Sequence, residues 1–285
     1  MSHIIQMKRQ IKSIQTTKKL THAMRLISMS LYSRLDRQKT KIEYFQNNVT
    51  SLFHKIMSNS KKKNKLFYGD ILDANPLIII VSSTKGFCGG LNENLFRFIE
   101  KNLFIEEHQE PNFIALGQKA KNFIEEEELG NIIESVTELN SNNFSIISEK
   151  ITDLIIKKTP QFSSVTVYSN YLKNLFYQFP QKISLLPLKK DASSKKINAH
   201  EEFEEEIIWE QDKKDIEEFI SNFYLNTSLK NTLFQALISE YAARFMAMDN
   251  ATTNAKKYLE NLTLQFNKLR QALITKEVCE LSVNL

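Results

Sequence analysis

From residue 237 onward the apolar positions recur at steps of three and four: Leu237, Tyr241, Phe245, Met248, Thr252, Ala255, Leu259, Leu262, Phe266, Leu269 and Leu273. This is the period of one helical face. No Gly or Pro interrupts residues 212–285, so the pattern predicts a helix on the order of 100 Å long at 1.5 Å per residue. Such a helix exceeds what one globular core covers, and a rod or coiled coil with a partner along its length is expected. Residues 1–68 also lack Gly and Pro. Their second half carries a face of Ile27, Leu31, Leu35, Gln38, Ile42, Phe45, Val49, Leu52 and Ile56, and their first half a weaker one of Ile4, Met7, Ile11, Ile14, Thr21 and Met24. Pairing the two end segments antiparallel lets each bury the other's stripe.

Between them the period changes. Pro76–Val81 is a short β-branched run of the kind buried on both sheet faces, and Lys85-Gly86-Phe87-Cys88-Gly89-Gly90 follows as a turn. A helical pattern (Leu91, Leu95, Phe98, Ile99, Leu103) precedes a strand-like Asn112–Gly117 and a helix through Ala120, Phe123 and Ile124. Ile132, Ile133 and Val136 predict a short strand, Ile146 to Ile155 a helix, and Ser164–Tyr168 another strand. Alternation of strand and helix predicts a small parallel, Rossmann-like α/β domain. An antiparallel edge hairpin is expected within Leu175–Leu188, and polar residues 189–206 read as a loop. The expected fold class is therefore α/β: a long antiparallel coiled coil of N- and C-terminal helices with an inserted α/β domain. Its boundaries fall at 1–68, 69–206 and 207–285.

Composition sharpens this in two places. Only 6 Gly and 5 Pro in 285 residues favour long helices over a sheet-rich fold. The net charge of +5 is unevenly spread: residues 1–68 carry +13, residues 69–206 carry −7 and residues 207–285 carry −1. The basic segment calls for an acidic partner. Nucleic acid is the competing reading, but the aromatics Tyr32, Tyr44, Phe45 and Phe53 are not interleaved with the basic residues as stacking platforms. Lys61, Lys62, Lys63 and Lys65 suit a helix C-terminus before Gly69.

Candidate chemistry is sparse. The strand, Gly loop and helix at 77–103 invite a nucleotide-binding enzyme as an alternative. Yet glycines at 86, 89 and 90 make no G-x-G-x-x-G, and no Gly-Lys-Ser/Thr follows. Cys88 lies near a predicted helix N-terminus, where a thiol can be activated, but the five histidines are scattered and none has metal-ligand spacing. Cys88 and Cys279 form no C-x-x-C, so free thiols in a reducing compartment are expected. No cofactor or metal is expected. No apolar run reaches membrane-span length and no signal-peptide core opens the chain, so a soluble protein is expected.

Three stretches carry a family resemblance: MKRQIKSIQTTKKLTHAMRLIS (7–28), SSTKGFCGGLNENLFR (82–97) and ISEYAARFMAMDNATTNAKKYLENLTLQFNKLRQALITKEVCEL (238–281). Together they resemble the γ subunit of bacterial F-type ATP synthase, over essentially the whole chain. The resemblance implies a non-catalytic rotor that couples proton-driven rotation of the c-ring to ATP synthesis on β. It implies as partners the α3β3 ring, the ε subunit and the c-ring, with δ in the same complex and no nucleic acid. It implies a peripheral location at the cytoplasmic face of the bacterial inner membrane. By the same resemblance Met24, Cys88, Arg270, Gln271, Thr275 and Glu277 are contacts to the α/β ring. Ala242, Ala243, Ala247, Ala251 and Ala255 are expected as a run of small side chains on the rotor's outer surface. The family's C-terminal pattern is met by Ile274-Thr275-Lys276-Glu277 and Glu280, but Asn284-Leu285 stands where Gly-Ala is usual. The cysteine-bearing redox insert of chloroplast versions is absent, so thiol control of that kind is not expected.

Overall fold

The protein is described here by a computed structural model, which covers residues 2–58, 75–103, 111–158, 162–187 and 212–283. Lys61–Lys65, the boundaries at 68 and 206, the polar 189–206 stretch and Asn284-Leu285 lie outside the described residues. The elements run α1 (Ser2–Ser58), β1 (Asn75–Val81), α2 (Leu91–Asn102), β2 (Asn112–Leu116), α3 (Gln118–Glu126), β3 (Asn131–Val136), α4 (Phe144–Lys158), β4 (Phe162–Asn174), β5 (Tyr177–Leu186) and α5 (Lys213–Val283). Two compact units result. One comprises Met1–Ser33, Phe87–Gly89 and Tyr241–Leu285; the other comprises Arg34–Gly86 and Gly90–Glu240.

In the larger unit the sheet order is β3-β2-β1-β4-β5. β1 pairs parallel with β2 and β4, β2 pairs parallel with β3, and β5 is an antiparallel edge. Ile78, Ile80, Phe113 and Ala115 meet Leu95 and Ile99 of α2 and Ala120, Phe123 and Ile124 of α3 in one core. Leu77, Ile79 and Val81 turn to the opposite face and are buried as well, as the unbroken apolar run requires. The edge hairpin differs from expectation. β4 runs on to Asn174, and its half beyond Tyr168 pairs only with β5, so the turn falls at 175–176 rather than within a hairpin confined to 175–188. Pro180 is tolerated because β5 is an edge.

One glycine is fixed by geometry. Gly117 has φ +93°, and a Cβ there would lie 2.4 Å from the Ser82 carbonyl oxygen. Ser82 Oγ in turn accepts from the Ala120 amide at 2.7 Å, satisfying one of the exposed N–H groups that start α3. Strand ends and helix start are thus tied together at the carboxyl edge of the sheet.

The same unit holds one stretch of the paired end helices. Gln235 Nε2 donates to Glu43 Oε1 at 3.1 Å and Gln46 Nε2 to Ser228 Oγ at 3.0 Å. The Phe53 ring stacks on Tyr224 at 4.4 Å. Positions rising on α1 meet positions falling on α5, which is antiparallel pairing. Residues 232–240 of α5 are buried on every side, as befits a helix enclosed by neighbours all round.

In the smaller unit Arg25 Nη1 donates to Asp249 Oδ1 at 2.7 Å, and the Thr21 and Thr252 hydroxyls lie 3.0 Å apart. The predicted α5 stripe holds throughout: Leu237 to Leu273 are all buried or half-buried. The predicted α1 stripe holds in its first half and in part of its second: Ile4, Met7, Ile11, Ile14, Thr21, Met24 and Leu31 are all buried or half-buried. From Thr21 on, one covered row runs through Thr21, Arg25, Ser28, Tyr32, Leu35, Lys39, Ile42, Gln46, Val49, Phe53 and Ile56, alternating steps of four and three as in a coiled-coil seam. Leu35, Ile42, Val49 and Ile56 belong to it, whereas Ile27, Phe45 and Leu52 are 60%, 51% and 49% exposed. Polar residues replace them in the seam because several find partners across it, Arg25 with Asp249 and Gln46 with Ser228.

Candidate partner-contact surfaces

All six predicted contact residues fall in the smaller unit. Met24 is half-buried beside the Arg25–Asp249 pair, and its carbonyl accepts from Ser28 Oγ at 2.8 Å. Cys88 is buried, at 4% exposure. Its neighbour Phe87, with φ +64°, is instead 63% exposed, so it is Phe87 that this loop offers to solvent. A Cβ on Gly89 would come within 3.8 Å of the Ala247 Cβ. The loop therefore rests on α5 at Ala247.

The alanine run is corrected by this packing. Ala242 and Ala243 are buried and Ala247, Ala251 and Ala255 half-buried. They do not form an outer surface. Their small side chains allow close approach, and at Ala247 the approaching element is the Gly loop.

Arg270, Gln271, Thr275 and Glu277 form a second group, which begins 21 residues further along α5 than Asp249, about 30 Å of helix. All four are exposed. Thr275 Oγ1 donates to the Gln271 carbonyl at 3.0 Å, and Lys276 pairs with Glu280 at 3.6 Å. Equal rises counted from Thr21–Thr252 place Ser2 level with residue 271. Beyond that, α5 has no α1 residue opposite it among the described residues. Residues 274–280 are accordingly all exposed, Ile274 and Val278 included. This end of α5 therefore sets apolar Ile274 and Val278 beside charged Lys276, Glu277 and Glu280, all in solvent.

The nucleotide alternative meets a different geometry. In an open α/β sheet the ligand crevice lies outside the carboxyl ends of the strands where the order reverses, here between β1 and β4. There, Ser239 of α5 is fully buried with Oγ 3.4 Å from the Asn170 carbonyl. The loop after β1 is tied to itself. The Ser83 amide donates to Asn92 Oδ1 at 3.1 Å, Ser83 Oγ donates to the Lys85 carbonyl at 2.9 Å, and Thr84 Oγ1 accepts from the Leu139 amide at 3.2 Å. Helix α5 thus packs on the far half of β4, and the polar groups of the loop after β1 bond to protein partners.

Among the described residues no group of three or more His, Cys, Asp or Glu is placed to hold a metal ion, and no helix is long and apolar enough to cross a membrane. Sequence reasoning missed the exposure of Phe87. The signal is a bulky residue between glycines in a tight turn, but only the backbone shows that it takes the positive φ.

Comparison with known proteins covers the chain almost end to end. The ATP synthase family model matches residues 3–282. An ATP synthase gamma chain from Clostridium novyi is 30% identical over 98% of this chain and 95% of its own length. One from Rickettsia akari is 28% identical over 99% and 98%. Among solved structures, a chain of the Euglena gracilis mitochondrial ATP synthase rotor aligns over 96% of this chain and 99% of its own, with TM-score 0.65. A chain of that enzyme's OSCP/F1/c-ring assembly aligns over 98% and 92%, with TM-score 0.66. At 16% identity both bear on the fold alone. Matched along nearly its whole length, and carrying the paired end helices around an inserted sheet, the chain belongs to the ATP synthase γ-chain family.

Proposed function

We propose that this chain is the central rotor subunit of an F-type ATP synthase, a non-catalytic part of the complex. It couples c-ring rotation to the catalytic sites on β, at the cytoplasmic face of a bacterial inner membrane. Family membership supplies the class, and the uncovered end of α5 is the observation that carries the role. Residues 274–280 of α5 are all exposed, apolar Ile274 and Val278 among them, and on this reading other subunits enclose them. Arg270, Gln271, Thr275 and Glu277 are its polar contacts, and Met24 and the Cys88 loop, through Phe87, are a second set. Exposed polar and ionic contacts are individually worth about 0–1 kcal/mol, so a ring can exchange them as the rotor turns without being held at one angle.

The test is reconstitution with α and β subunits from the same source, using the intact chain and a chain ending at Leu262. ATPase activity dependent on the intact chain, and reduced at least several-fold with the shortened one, is the expected result. Equal activity with both would remove the α5 end from the role. No association with α and β would overturn the reading itself.

A further inference from the structure

Between α4 and α5, wholly inside the larger unit, lies a groove of about 230 Å³ lined by Glu149, Thr152, Asp153, Ile156, Phe219, Asn222, Phe223 and Asn226. It is smaller than the ~300–1,000 Å³ of sites that enclose small-molecule ligands and fits one long side chain. From these residues we infer that the groove receives a lysine or arginine side chain presented by a partner polypeptide.

The lining divides into a rim and a wall. Glu149 and Asp153 stand one helical turn apart on the exposed side of α4, so the rim is anionic. Phe219 and Phe223 form the opposite wall, their rings stacked with centroids 6.0 Å apart. Phe219 is 68% exposed, a large apolar face left in water. An aromatic face attracts a cation through its quadrupole, by roughly 0.5–2 kcal/mol depending on desolvation. Thr152, which also lines the groove, is 3% exposed. Asn226 is fixed at the edge by Ser148 Oγ, which donates to its Oδ1 at 3.1 Å. Carboxylates repel an anion and leave an aliphatic group no partner, whereas a guanidinium or ammonium on an apolar stem satisfies rim and wall together. The adjacent Lys150 does not serve, because its Nζ is held by Glu134 at 3.0 Å.

The test has two arms. In the first, the full chain with labelled Ile and Thr methyls is titrated with the blocked peptide Ac-Ala-Arg-Ala-NH2 and with its citrulline counterpart, which keeps the shape and loses the charge. Saturable shifts at Ile156 and Thr152 with arginine are expected, with at least tenfold weaker binding for citrulline. The same loss is expected in the E149Q/D153N double variant. This variant alters no apolar core contact, and unchanged remote methyl signals establish that it folds. Absence of shifts, or equal binding of citrulline, overturns the inference. In the second arm a photoreactive residue replaces Asn222 in the assembled complex. A cross-linked partner peptide with Lys or Arg at the adduct is expected, and an assembled complex giving no partner adduct contradicts it. The first arm does not depend on assembly, so its outcome stands whether or not the rotor reading holds.

Discussion

Gly117 and Tyr168 show how much single positions decide in this chain. At Gly117 the positive φ and the Ser82 carbonyl 2.4 Å from a would-be Cβ act together. Gly117→Ala should cost at least ~2 kcal/mol, read as a lowered urea midpoint with an unchanged slope; a shift within error would contradict the packing described. Burial raises the Tyr168 pKa above its ordinary value of 10.0, so the native state holds the phenolic proton more tightly than the unfolded chain does. The resulting stability is complete below pH 10 and is lost as pH rises from there through the raised native value. Tyr168→Phe keeps the ring, loses the 3.1 Å hydrogen bond to the Asn102 carbonyl and removes the titrating group. The fall in urea midpoint between about pH 9 and about pH 11 should therefore be smaller in the variant. Such residues were not legible beforehand. Gly117 closes a predicted strand and Tyr168 ends another, but the approach of Ser82 and the depth of burial arise from contacts across the sheet.

At the scale of elements, the sequence carries the secondary structure well and the seam less well. The parallel strands and their helices are recoverable from their apolar runs, because buried parallel strands are rich in β-branched residues and the helices bury one clear stripe, whereas the extension of β4 into the edge hairpin is not. The α5 stripe is legible for the same reason. On α1 the apolar count misleads: Ile27, Phe45 and Leu52 look like seam positions, while Arg25, Ser28, Lys39 and Gln46 look like solvent positions. The exchange is possible because Arg25 and Gln46 bond to residues of α5, information held elsewhere in the chain. This separates two mutations of similar appearance. Leu35, 1% exposed, should lose about 2–5 kcal/mol on truncation to Ala, whereas Ile27→Ala should lose under about 1 kcal/mol. Thermal or urea unfolding of the pair decides it, and equal losses would favour the simple apolar stripe over the alternating one.

For the molecule as a whole, family membership and chain-long fold similarity agree on a γ chain, and the charge layout fits a subunit that works among others. The first 68 residues carry +13, while the far end of α5 mixes Arg270, Lys276, Glu277 and Glu280 with exposed Ile274 and Val278. The proposed contact residues were legible only through resemblance, since exposed polar positions on a helix carry no periodic signal of their own. What the structure adds is which of them are uncovered: the α5 group is open, Met24 is half-buried, and the Gly loop offers Phe87 where Cys88 is enclosed. The central claim is rotation. The most direct measurement attaches an optical probe to this chain within an immobilised α3β3 complex and follows it during ATP hydrolysis. The account predicts stepped rotation in one direction that stops when ATP is withdrawn. A probe that stays fixed, or moves without preferred direction, while the same complex hydrolyses ATP would contradict it.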